Sequence, residues 1–144
     1  MATGARVDPY SGFNFLVEID GITQAGFQEV SGLDVTTAPL DYREGTDPNH
    51  TRKLVGMNTY SPITLKRGIT DSDELWRWRK TVIDGKPQRK NGSIVLRDDM
   101  GTEKVRWNFS EAWPSKWTGP ALNASAAAVA VETLEITHEE LKKA

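Results

Sequence analysis

The chain has 144 residues, 26% of them charged, no cysteine and a formal net charge of −2. That length suffices for one domain with a proper core, and the lack of thiols excludes disulfides and cysteine metal sites. No apolar run approaches the roughly 20 residues a membrane-spanning helix needs, and the N-terminus carries no Sec-type signal, so no stable membrane insertion is expected and assembly belongs in the cytoplasm.

The charges are segregated along the sequence. Residues 1–41 net −5, residues 42–90 net +5, and the remainder nets −2. Complementary faces of this kind set register and encounter rate when identical copies associate.

Taken in order, Phe13 to Asp20 alternates, with Phe13, Phe15, Val17 and Ile19 on one face, and Asp20-Gly21 supplies a tight turn. A second strand is expected over Ala25 to Val30 and a third over Leu33 to Leu40, which together make an antiparallel meander. Then comes Tyr42 to Met57, with five charges in sixteen residues and no clear apolar period. It reads as a long, exposed connection. Compact domains usually join strands with about 2 to 6 residues, and longer loops tend to be functional or disordered. This segment is therefore the candidate docking arm between copies, carried by Tyr42, Arg43, Glu44, Asp47, His50, Arg52 and Lys53.

Thr59 to Arg67 alternates again, with Pro62 marking a sheet edge or a bulge. Ser72 to Asp84 is the one convincing helix, capped by Asp71 with Glu74 and stopped by Gly85 and Pro87. Trp78, Val82, Leu75, Ile83 and Trp76 fall within about 160° of arc, so that face packs on the sheet. Arg79 lies in the same arc and should reach a partner at its edge. Ser93 to Arg97 and Glu103 to Ala112 flank the turn Asp98-Asp-Met-Gly101 as a hairpin. A tryptophan-rich corner, Trp113 to Pro120, precedes a last strand over Ala126 to His138, apolar on both faces near its start and so central or doubly covered. The fold class is mainly β: an antiparallel barrel or sandwich with one flanking helix, spanning residues 1–144, with its core at about 13–140 and a short flexible N-terminus.

No constellation points to catalysis, a metal or another cofactor. His50 and His138 lack helically spaced partners, there is no Gly-x-Ser-x-Gly elbow or phosphate loop, and Asp98/Asp99 and Glu139/Glu140 point to opposite sides of extended chain. Trp76-Arg-Trp-Arg79 is better explained by the helix face than by nucleic-acid stacking. What remains fits a self-assembling structural protein, or else a small-molecule-binding barrel built around the five tryptophans.

The ordered series Phe15-Leu-Val-Glu-Ile-Asp-Gly21, Gly26-Phe-Gln-Glu-Val-Ser-Gly-Leu33, Tyr42-Arg-Glu-Gly45, Arg52-Lys-Leu-Val-Gly56, Ile63-Thr-Leu-Lys-Arg-Gly68, Leu75-Trp-Arg-Trp78 and Trp113-Pro-Ser-Lys-Trp117 resembles the inner tube proteins of contractile injection systems. That family is similar to contractile-phage tail tubes and to the haemolysin-coregulated protein of type VI secretion. The resemblance implies six copies closing into a ring, with rings stacked into a hollow tube inside a sheath that drives it through a target envelope. It also implies baseplate, spike and cap partners, possible cargo in the lumen, a phage-tail-like particle and no catalysis by the subunit itself. A tube initiator next to the baseplate is the related alternative. In that family the segment matching Tyr42 to Met57 is a protrusion that contacts neighbouring subunits, including those of the adjacent ring.

Overall fold

The computed structural model describes residues 8–22, 26–46 and 49–144. The expected flexible start at residues 1–7, and Ala25 at the head of the second expected strand, lie outside the described residues. Nine strands and one helix follow in chain order: β1 Phe15–Ile19, β2 Phe27–Ser31, β3 Val35–Tyr42, β4 Arg52–Tyr60, β5 Ile63–Gly68, α1 Glu74–Ile83, β6 Lys90–Arg97, β7 Glu103–Thr118, β8 Val131–Thr137 and β9 Glu140–Lys143. All ladders are antiparallel. Seven strands form the body in the order β1-β6-β7-β8-β5-β2, with β9 beside β7, while β3 and β4 form a separate two-stranded sheet. The mainly-β architecture with one flanking helix is as expected, and the ladder path stops at β1 and β2.

Period-2 alternation builds the core. Val17 and Ile19 of β1, Ile63 and Leu65 of β5, Ile94 of β6, Phe109 and Ala112 of β7, and Leu134 and Ile136 of β8 are buried together. Phe13, expected inward, is 77% exposed because the chain leaves the sheet before β1, at the point where the Asn14 carbonyl accepts from Arg97 N. The Asp98 turn closes as expected: Asp98 Oδ1 accepts from the backbone of Met100 and Thr102 at 3.0 and 2.9 Å.

The expected corner at Trp113 to Pro120 is not where the chain bends. Trp113 to Thr118 continues β7, which changes partner from β6 to β8 at a bulge centred on Glu111. Glu111 has φ +54°, and Asn91 Oδ1 accepts its N–H at 3.0 Å. A bulge at this point raises the local bend and lets one strand serve both layers. The last long strand begins at Val131 and not at Ala126, because β5 and β7 run out opposite it at Gly68 and Thr118. Glu139 and Glu140 lead into β9, which pairs the edge of β7 beside Trp107 to Ser110.

Helix α1 packs on β7. Its N-cap is Asp73, whose side chain makes no cap hydrogen bond and instead meets Arg77 at 2.7 Å, so the expected Asp71–Glu74 capping box is absent. Glu74 is drawn to Arg67 at 3.0 Å. The C-terminus closes as a Schellman motif, with Lys86 N donating to Thr81 O and Gly85 N to Val82 O while Gly85 takes φ +78°. Only Leu75 and Trp78 are buried on this helix; Trp76 and Ile83 are 39% and 56% exposed. The apolar arc is thus wider than the sheet surface that covers it. Arg79 does reach an edge partner, the Pro114 carbonyl at 3.4 Å.

Candidate assembly surface

The segment singled out in the sequence is the outer part of a β-hairpin arm. Strand β3 extends to Tyr42 and β4 starts at Arg52, so the expected long loop shrinks to the residues between them. The ladder pairs Tyr42 with Arg52, Asp41 with Lys53, Leu40 with Leu54 and Pro39 with Val55, then shifts past Ala38 to pair Thr37 with Asn58 and Val35 with Tyr60. That shift, together with Gly56, hides the strand period in the sequence.

Because partners share a face, the register sorts the arm's side chains. One face carries Leu40, Tyr42, Arg52 and Leu54; the other carries Val35, Pro39, Asp41, Lys53, Val55 and Tyr60, with Gly56 and Met57 in the bulge opposite Ala38. Every residue of β3 is exposed, and Val55 and Met57 are 85% and 84% exposed. The arm is apolar on both faces and packed on neither. Its base meets the body at His138, which is buried at the end of β8, reaches the Ser61 carbonyl through Nε2 at 3.1 Å and lies 5.7 Å from the Tyr60 ring. A carbonyl can only accept, so Nε2 carries the proton.

The residues singled out from sequence gather at the distal end. Tyr42 hydroxyl donates to Glu44 Oε1 at 2.9 Å, and Lys53 pairs with Asp41 across the strands. Arg43 and His50 are exposed in the connection, and Arg52 opens β4 opposite Tyr42. Asp47 lies outside the described residues. Sequence reasoning missed Val55 and Met57 as a surface, because the bulge between them breaks the strand period.

Elsewhere the chemistry is structural. Arg67 is buried between Glu74 at 3.0 Å and Glu132 at 3.5 Å, under the Phe27 ring. Burial pushes the Glu132 carboxyl up, against the pull of Arg67. Arg106 bridges Glu18 and Glu103, a pairing that raises its basicity and lowers Glu103. A polar groove of about 660 Å³ crosses β1, β6, β7 and β9. Within it Ser93 Oγ bonds the Asn108 side chain at 2.6 Å, and an amide cannot act as a general base toward that hydroxyl. Among the described residues no three His, Cys, Asp or Glu side chains gather as metal ligands.

A β body whose charged pairs lock its own strands, and which carries an exposed arm apolar on both faces, belongs to the class of subunits that complete themselves by joining copies. The family follows from comparison. The chain belongs to the family of the T4-like virus tail tube protein gp19, whose model matches residues 11–142. It is a structural tube subunit of the contractile-tail type.

Solved structures agree. A chain of the PVC sheath-tube complex, an extracellular contractile injection system in its extended state, is 28% identical, with 94% of this chain and 91% of that one covered and a TM-score of 0.85. A chain of the anti-feeding prophage cap is 26% identical over 99% of this chain and 95% of that one, at a TM-score of 0.88. Hcp1 from Flavobacterium johnsoniae shares the fold at 18% identity, 91% and 94% coverage and a TM-score of 0.59. No curated protein matches the chain.

Proposed function

We propose that six copies close into a ring and that rings stack through the β3–β4 arm into a hollow tube, enclosed by a sheath and bounded by baseplate and cap proteins. The particle assembles in the cytoplasm, and its lumen can carry cargo. Tyr42, Arg43, Glu44, Asp47, His50, Arg52 and Lys53 make the contacts between subunits. One observation carries this reading: the arm exposes apolar side chains on both faces. A two-stranded ribbon is marginal in water until something packs on it. The similarity to chains of sheath-tube and cap complexes supports the partners named. An interface that is not self-complementary closes into a ring within one layer and propagates without end between layers.

The test is a double charge reversal, Arg52→Glu with Lys53→Glu. The Lys53–Asp41 pair is 65% exposed on both sides, so the free subunit should lose no more than about 1 kcal/mol. Negative-stain microscopy should show tubes for the unaltered chain and none for the variant. Normal tubes from the variant would end the docking role of these residues.

A further inference from the structure

Both legs of the arm leave the body at one root. On the first leg Gly32, with φ +91°, passes so close to the second that a Cβ there would overlap the Pro62 carbonyl, while Leu33 packs against the core. On the second leg the β5–β8 ladder ends with Ile63 opposite Ile136, beside Pro62, which has no N–H to donate. Two residues further along, the same register would set Ser61 against His138. There the imidazole takes over from the ladder, and His138 Nε2–H donates to the Ser61 carbonyl at 3.1 Å. We propose, resting on the tube reading above, that His138 is the positioning residue of the arm: it fixes the direction in which β3–β4 leaves the body before any other copy is met.

Three features of the root favour that role. The His138 ring neighbours both sides of the junction, with the ring centroid of core residue Phe109 at 6.2 Å and that of Tyr60, the last residue of β4, at 5.7 Å. Next, the buried Nδ1 of His138 has no hydrogen-bond partner. A phenylalanine would fill the same space without leaving a buried nitrogen unsatisfied, but it could not donate to Ser61. What the imidazole adds is a hydrogen bond from the body to the root of the arm. Finally, the arm beyond its root offers little else to hold it: every residue of β3 is exposed, and the extensive contacts of β3 and β4 are with each other. A ribbon held at its root is aimed by whatever fixes that root. In a tube every arm must leave its subunit at the same angle, and a segment already oriented in the free subunit loses less freedom on association.

The experiment compares three full-length variants, each checked by thermal melting. His138→Gln keeps an amide N–H within reach of Ser61, His138→Phe keeps an aromatic ring and loses the donor, and His138→Asn is polar but too short to reach. Spin labels on Met57→Cys in β4 and Lys116→Cys in β7, both exposed positions in a chain without cysteine, report the direction of the arm by pulsed electron paramagnetic resonance. The labels are read in the Arg52→Glu, Lys53→Glu background, at a concentration where it sediments as a monomer. One narrow distance is expected for the parent and for His138→Gln, and a broad or displaced one for His138→Phe and His138→Asn. Without the labels and the arm substitutions, His138→Phe and His138→Asn should need about ten times the parent's concentration to form tubes if roughly a tenth of their arms point correctly, while His138→Gln should match the parent. An unchanged narrow distance in His138→Phe or His138→Asn would overturn the assignment. So would a distance as broad in His138→Gln as in His138→Phe, or loss of the fold in both variants that lack the donor. Because the distance is read in the free subunit, an unaltered chain that forms no tube at any concentration would sink the tube reading and leave the aiming of the arm standing.

Discussion

Arg67→Met removes the one cation from a buried group of three charges and keeps the aliphatic stem. Arg67 and Glu132 are each 6% exposed at the side chain and Glu74 10%, with the guanidinium between the two carboxylates. Breaking a buried pair by removing one partner costs about 3–5 kcal/mol. Protonating Glu132 bounds the loss from above: from the ordinary value of 4.5 this costs roughly 3.4 kcal/mol at pH 7, and burial, which already raises that carboxyl, makes it cheaper. The expected destabilisation is therefore about 3 kcal/mol at pH 7, or roughly 10–15 °C in Tm for a chain of this size. A carboxyl whose folded pKa is raised favours the folded state most below its unfolded value and loses that contribution as pH rises through the folded one. The deficit of the variant should thus shrink to about 1 kcal/mol near pH 4.5. The assay is thermal and urea unfolding across pH in the Arg52→Glu, Lys53→Glu background, in which no tubes should form. A loss under 1 kcal/mol at pH 7, or one that does not change with pH, would refute the reasoning.

Three further outcomes are expected. In Gly92→Ala the new methyl would overlap the Glu18 carbonyl and stand 2.5 Å from Phe109 Cζ, so denaturation should show a loss of about 3 kcal/mol, whereas Gly45→Ala, with nothing within 4 Å, should melt like the parent. Asp98→Ala removes the carboxylate that accepts from Met100 and Thr102; hydrogen bonding, led by Thr102 N–H, holds that carboxyl below 3.8. Its contribution is present above that value and fades as pH falls, so the Tm difference from the parent should be clear at pH 7 and vanish near pH 2, and an equal difference at both would be the wrong sign. In the free subunit, amide exchange should be fast from Lys53 to Val55 and slow from Ile63 to Gly68, with the arm becoming protected on tube formation; slow arm exchange before assembly would mean that it packs on its own body.

The legible parts of the fold are those where one face is buried and the other wet. Val17 and Ile19, Ile63 and Leu65, and Val105 to Phe109 alternate because each strand has one dry side, and strands form there, although the expected strand Thr59 to Arg67 is split at Ser61-Pro62, with Thr59 and Tyr60 ending β4. Where the partner and not the pattern decides, the reading slips. Glu140-Leu-Lys-Lys143 looks like surface and becomes β9 only because β7 offers an edge. Ala126 to Ala130 looks like strand and is not, since the β5 ladder ends at Gly68 opposite Val131 and only Ile69 N continues it, to the Ala130 carbonyl. Trp76 and Ile83 obey the helical period, but Trp76 packs only edge-on against Trp117 of β7 and Ile83 stays exposed. At the arm, the charged and aromatic residues from Tyr42 to Lys53 stand out, whereas Val55 and Met57 do not, because a hairpin apolar on both faces carries no alternation.

That failure of alternation bears on function. A strand dry on one face belongs to the body, and a strand apolar on both faces must lie between two layers. β8 is of the first kind, with Glu132, Leu134 and Ile136 buried on one face and the residues between them only half-buried. In β3 and β4 both faces stay exposed, yet the sequence keeps Leu40 and Leu54 on one side and Val35 and Val55 on the other. One partner surface could cover only one of these sides. An arm gripped between two surfaces suits a tube, in which every subunit has neighbours beside it and in the next ring. It resists withdrawal more than an arm resting on one surface, because both faces must be exposed to water together before it can leave.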